Sequence, residues 1–332
     1  GLLGLKVKGL GRQGMIDLIR ILPMSVADLL DEWFENDALK AVLGISGVMH
    51  LRQGPRSGGT AFSFLHHHVG SPEGVFRLPT SNLNSVLAAL KGIEVRHEAR
   101  VAHIRVKGGG ATGVVLANGG ELEASLVVSS ADPRTTLLGL LEPGWLDPGF
   151  VRAVGNIRCR GVAAQVDLTL AADPSFKTLA IAPSLNYMER AYDDVKYGRA
   201  SVHPWLEGRA SGRNVRVHLQ YVPHTMTDGK AIGDIAVQKL ADEVPGLGDS
   251  IIARTVRTPA DLAAQGLTEG QLYHGELTLD QILFMRPVPG WTRYRTPIRG
   301  LYLCGAGTHP GGGIAGAAGR LAAREILSSR HS

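Results

Sequence analysis

Gly300-Leu301-Tyr302-Leu303-Cys304-Gly305-Ala306-Gly307-Thr308-His309-Pro310-Gly311-Gly312-Gly313-Ile314-Ala315-Gly316-Ala317-Ala318-Gly319-Arg320 starts as a short apolar strand and passes through a glycine-rich turn. It ends in a helix whose first turn is almost all glycine and alanine. Residues without bulky side chains let a backbone press close to a flat or charged ligand. The start of the helix then aims unpaired N–H groups and a partial positive charge at that ligand. The stretch is laid out as a cofactor cradle.

Working outward, residues 93–128 alternate strongly. Ile93/Val95, Val101/Ile104/Val106, Val114/Leu116, Leu122 and Leu126–Val128 are separated by turn signals at Lys107–Gly110 and Asn118–Gly120, which predicts a β-meander. Ser129–Pro133 reads as a tight turn into a helix over 134–141. From Gly161 the chain turns β-rich, with strands expected over 162–170, 179–181, 215–222 and 251–258 and a helix over 231–243. Residues 15–44 read as helices, with Ser25 as an N-cap. Leu301–Cys304 and a helix over 314–327 complete the pattern.

The 332 residues suffice for one large or two intermediate domains, and 44% apolar with 20% charged residues is ordinary for a soluble globular chain. The net charge of +5 is scattered. Its densest clusters, Arg152/Arg158/Arg160 and Arg293/Arg295/Arg299, lack interleaved aromatic platforms, so no nucleic-acid partner is expected. Two distant cysteines, Cys159 and Cys304, give neither a disulfide framework nor zinc spacing, and fit a reducing, cytoplasmic setting. No apolar run approaches the ~20 residues of a membrane-spanning helix, and no long basic amphipathic helix argues for a membrane surface.

The run LYLCGAGTHPGGGIAGAAGRLAAREIL resembles the C-terminal flavin-binding segment of the phytoene desaturase-like FAD oxidoreductases, in their pyridine nucleotide-disulphide oxidoreductase-domain branch. Pro23–Leu30, Ala182–Tyr192 (APSLNYMERAY) and Tyr273–Pro289 (YHGELTLDQILFMRPVP) resemble that family in the same order, so the likeness covers most of the chain. It implies an α/β (α+β) fold: a Rossmann-like FAD/NAD(P)-binding flavoprotein domain with an interleaved substrate domain of mixed or antiparallel sheet plus helices. FAD-domain segments are expected at 76–132 and 285–332, and the substrate domain at 1–75 and 133–284. The family opens with strand–GxGxxG–helix. Gly9-Leu10-Gly11-Arg12-Gln13-Gly14 fits that spacing without its strand, so it is read as a glycine-rich turn before a helix, and the chain as lacking the N-terminal βαβ unit.

The resemblance implies FAD as cofactor, held by Val101, Ser130, Ala131, Gly305, Ala306, Gly307, Gly312, Gly313, Ile314 and Ala315, with the helix start at 312–315 facing the flavin. It implies hydride transfer from a C–H bond of a hydrophobic small-molecule substrate to flavin N5. Amine oxidation and a non-catalytic interaction role on the same scaffold are the alternatives, and a nicotinamide dehydrogenase using Gly9–Gly14 ranks below both. His66-His67-His68 has no ligand-spaced partner, so no metal is expected; it reads as a loop bordering a cavity. His309 reads as structural within the loop. His274 and Glu276 either line the substrate cavity or cap a helix over 277–284. Arg286 either pairs with a carboxylate or approaches the flavin pyrophosphate. No catalytic residue is assigned, and Cys304 reads as a buried small residue.

Overall fold

The computed structural model describes residues 9–68, 92–312 and 316–329. In chain order the helices are α1 (Gly11–Ile21), α2 (Val26–Asp31), α3 (Asp37–Val48), α4 (Thr60–His68), α5 (Pro148–Gly155), α6 (Leu185–Lys196), α7 (Gly229–Glu243), α8 (Pro259–Ala264) and α9 (Ala317–Ser329). The strands are β1 (Val101–Lys107), β2 (Gly110–Leu116), β3 (Glu121–Glu123), β4 (Val127–Ser129), β5 (Ala163–Leu170), β6 (Thr178–Ile181), β7 (Leu206–Ser211), β8 (Asn214–Gln220), β9 (Ile251–Arg257) and β10 (Leu301–Leu303). They form two compact units, Gly1–His67 with Arg158–Gln281, and His68–Ile157 with Ile282–Ser332.

The first unit is built on a five-stranded antiparallel sheet in the order β6-β7-β8-β5-β9. In β5 the residues Ala164, Val166, Leu168 and Leu170 recur every second position and are buried, meeting Val215, Val217 and Leu219 of β8. α7 covers that face with Ile232, Ala236 and Leu240, spaced four apart on one helix side. Its start is fixed by Asp228, whose carboxylate accepts the Ala231 N–H at 3.0 Å. Burying each such Leu, Ile or Val side chain contributes about 1.5–3 kcal/mol. A second core joins Ala27, Ala41, Ile45 and Val48 of the early helices to Leu185, Met188, Ala191 and Val195 of α6. Ser25 caps α2 as its sequence position suggests, its hydroxyl accepting the Asp28 N–H at 3.0 Å. Gly11 and Gly14 lie inside α1, none of whose residues is buried.

In the second unit β1, β2 and β3 form the meander. Gly108 and Gly109 make its two-residue turn at φ +58° and +73°, the left-handed pair that matches strand twist in a tight hairpin. β4 leaves the meander, contrary to the alternating pattern, and pairs in parallel with β10. The helix expected after Pro133 is a short π-helical turn, Thr135–Gly139. Asp132 shapes it: its carboxylate accepts the Thr135 N–H at 2.9 Å and the Thr135 hydroxyl at 2.5 Å. Among the described residues no helix is long and apolar enough to cross a membrane.

Candidate functional site

The β4–β10 register pairs Leu301 with Val127, Tyr302 with Val128 and Leu303 with Ser129. The Cys304 N–H then donates to the Ser129 carbonyl at 2.8 Å. The two strands therefore end level, with Ser130–Ala131 leaving one and Gly305–Gly307 leaving the other. Ligands of open parallel sheets bind beyond the carboxyl ends of adjacent strands, and the register brings these five expected cofactor residues to that place. Ser130 is exposed, Ala131, Gly305 and Ala306 are half-buried, and Gly307 is buried.

The turn after β10 is held through its carbonyls. Gly305 O accepts the Thr308 N–H at 3.0 Å and the Thr308 hydroxyl at 2.9 Å. Ala306 O accepts both Nε and Nη2 of Arg286, at 3.1 and 2.8 Å. His309 O accepts the Tyr294 hydroxyl at 2.9 Å. The N–H groups of Gly305, Ala306 and Gly307 have no hydrogen-bond partner among the described residues. Gly307 is the buried one of the three, and a buried amide left unpaired costs about 1–3 kcal/mol, so the run suits an incoming acceptor.

Val101 is half-buried at the start of β1, on the meander and not on the β4–β10 pair. Gly312 is half-buried at a bend. Gly313, Ile314 and Ala315 lie outside the described residues. α9 begins at Ala317, with the Arg320 N–H donating to Gly316 O at 3.0 Å, so Gly312 precedes the helix and is not part of its first turn. His309 contributes its backbone carbonyl to the loop. Burial and the nearby Arg286 guanidinium hold its imidazole below the usual histidine range, so it is neutral at pH 7. Burial pushes the Cys304 thiol up, which keeps it protonated and unreactive.

In the first unit Glu276 is fully buried and chelated by Arg160, with Nε on Oε1 at 2.7 Å and Nη2 on Oε2 at 2.9 Å. It caps no helix: 277–284 forms two short 3₁₀ turns, Leu279–Gln281 and Leu283–Met285. The His66–His68 run lies on α4 and not on a loop. His67 bonds the Ser63 carbonyl through Nδ1 at 2.8 Å and the Tyr273 hydroxyl through Nε2 at 2.9 Å. Tyr273 stands edge-on to His50, and His50 edge-on to His218, with ring centroids 5.0 and 4.8 Å apart. Gln220 and Gln271 tie this cluster to the backbone. Sequence reading missed it because its members come from the turn after α3, from α4, from β8 and from the loop at 271–273, which no local spacing relates. Among the described residues no group of His, Cys, Asp and Glu is arranged to hold a metal.

Burial lowers the His218 imidazole to about 4 and that of His50 well below its ordinary value, with the neighbouring histidines adding to the effect at His50. His50 Nδ1 is buried and has no hydrogen-bond partner among the described residues. Both rings fold neutral, whereas the unfolded chain takes up their protons near pH 6.5. The stability these rings confer is thus present above pH ~6.5 and drains away as pH falls toward about 4. Urea midpoints of the wild type are expected to drop across that window. His218→Gln, which does not titrate, is expected to flatten the drop, and an unchanged slope would count against this account.

The family model described as flavin containing amine oxidoreductase matches residues 27–327. Pyridine nucleotide-disulfide oxidoreductase domain-containing protein 2 of Rattus norvegicus is 32% identical over 92% of this chain and 61% of its own length. The lycopene-forming phytoene desaturase of a Paracoccus species is 30% identical over 67% of this chain and 47% of its own length. The chain thus spans about 61% of the rat relative. Cyclohexylamine oxidase from Brevibacterium oxydans superposes with a TM-score of 0.54 at 13% identity, covering 94% of this chain and 69% of the oxidase. At that identity the likeness concerns the fold, an α/β FAD-binding architecture.

Proposed function

The chain belongs to the flavin containing amine oxidoreductase family, and on that premise we propose that it is an FAD-dependent oxidoreductase acting on a C–H bond of a largely apolar small molecule. The observation that carries this reading is the open amide run Gly305–Gly307 at the level ends of β4 and β10. The residues present fit FAD. Gly305, Ala306, Gly307 and Gly312 offer backbone donors with no side chain larger than a methyl group, and Ser130 and Ala131 stand at the neighbouring strand end. When bound, FAD supplies the hydride-accepting chemistry. The chain's own part is to orient the cofactor and exclude water. Neutral His309 and protonated Cys304 suit a site that needs no strong base.

The relative named for desaturating phytoene supports an apolar substrate and C–C desaturation. Amine oxidation is the second reading, favoured by the family's own description. The purified protein is expected to show a flavin absorption band that survives gel filtration after incubation with FAD. A colourless protein after that treatment would overturn the reading. Release of ammonia during flavin reduction by amines would favour the second reading over the first.

A further inference from the structure

The turn's hydrogen bonds are one-sided, and the planarity of the peptide bond gives that a consequence. In a trans peptide the C=O of one residue and the N–H of the next belong to one rigid plane and point opposite ways. Pinning Gly305 O through Thr308 therefore sets the direction of the Ala306 N–H. Pinning Ala306 O through Arg286 sets the direction of the Gly307 N–H. Two donors of one flat guanidinium on a single oxygen fix that plane more firmly than one donor does. Arg286 is only 2% exposed, so water has little access to its guanidinium. The guanidinium stays charged at all working pH values, and its hydrogen bonds polarise the peptide unit, which makes the Gly307 N–H a stronger donor.

We propose that Arg286 is a positioning residue for the cofactor turn: by clamping the Ala306 carbonyl it presents the Gly307 amide, and with it the Gly305–Gly307 donor run, to an acceptor atom of the bound flavin nucleotide. This inference rests on the reading of the turn as the FAD cradle. It places Arg286 on the side of the peptide opposite the one that meets the cofactor. Methionine at this position fills space without donating. Lysine keeps the charge but offers a single point donor in place of the fork.

The test compares the whole chain with Arg286→Met and Arg286→Lys by three measurements. These are the dissociation constant for FAD, hydrogen exchange of the peptide covering 304–312 without FAD, and thermal unfolding. Arg286→Met is expected to weaken FAD binding by about tenfold or more, the scale of a lost charge-assisted hydrogen bond, and to speed exchange of the Thr308 amide. Arg286→Lys is expected to recover part of the affinity. An Arg286→Met protein that binds FAD within twofold of wild type, with unchanged exchange, overturns the inference. If Arg286→Met does not fold, Arg286→Lys decides: weaker FAD binding with a wild-type melting temperature supports the role, and equal affinity overturns it. If the wild type binds no FAD, the cradle reading falls separately. The exchange comparison still decides whether Arg286 sets the turn, and unchanged exchange in the variants rejects it.

Discussion

Replacing Glu276 with alanine is expected to destabilise the antiparallel-sheet unit by about 3 kcal/mol. The carboxylate is fully buried, chelated by Arg160 and within 4.0 Å of Arg158 Nε. Its oxygen also accepts the Arg160 backbone N–H at 3.3 Å. Its own backbone is stitched into the same place, with N–H donating to Arg158 O and carbonyl accepting Gln281 Nε2. Removing the carboxylate strips Arg160 of its chelating counter-charge, while Arg158 keeps its ion pair with Asp280 at 2.6 Å. The arginine side chains are 33% and 39% exposed, so water recovers part of the loss, which places the effect at the low end of the roughly 3–5 kcal/mol range for breaking a buried pair. Glu276→Gln keeps the shape and most hydrogen bonds, and is expected to cost less than Glu276→Ala. Urea unfolding followed by tryptophan fluorescence measures both. A loss below about 1 kcal/mol for the alanine variant, the level of an ordinary exposed ion pair, would show that the pair is not needed for stability.

Gly300→Val is expected to cost about 2–4 kcal/mol and to abolish FAD binding. Gly300 sits at φ +75°, a conformation in which a β-branched residue is severely strained. A Cβ added there would lie 2.7 Å from the Ser125 carbonyl oxygen, and that oxygen is backbone, so it cannot swing aside. The Gly300 carbonyl also accepts the Val127 N–H at 2.8 Å, the first bond joining the two parallel strands. Strain at Gly300 thus acts on the register that brings Ser130–Ala131 level with Gly305–Gly307. The measurements are the melting temperature and flavin retention after gel filtration. A variant that keeps both would show that the register does not depend on this close approach.

The sequence spoke most clearly where one local rule governs the outcome. The alternation in Ala163–Leu170, the Ser25 cap and the double-glycine turn at Gly108–Gly109 each follow from interactions within a few residues. The strand Leu301–Leu303 and the glycine turn behind it were legible for the same reason. Less was readable where partners lie far apart. Val127–Ser129 looks like the last strand of a meander, and only its pairing with a segment some 170 residues later, far beyond any local window, sends it elsewhere. Glu276 could not be distinguished from a cap or a cavity residue, because its partner Arg160 stands 116 residues away. Tyr273 and His50 carry no pattern until folding brings them together. The carbonyl clamp on Ala306 was invisible for another reason: hydrogen bonds to a backbone oxygen leave no mark on the identity of the residue that carries it.

The parallel pairing has a consequence for the order of events during synthesis. Val127–Ser129 leaves the ribosome long before Leu301–Leu303, and the intervening chain includes the whole stretch Arg158–Gln281 that contributes to the other unit. At roughly 5–20 residues per second the earlier strand waits on the order of 10–35 s for its mate. Through that interval the edge that Leu301–Leu303 will occupy is unpaired, and exposed strand edges invite the wrong neighbour. The Gly305–Gly307 turn, which leaves Leu301–Leu303, can form only after that wait, and a slow or stalled ribosome would lengthen the time in which chaperones must shield the strand.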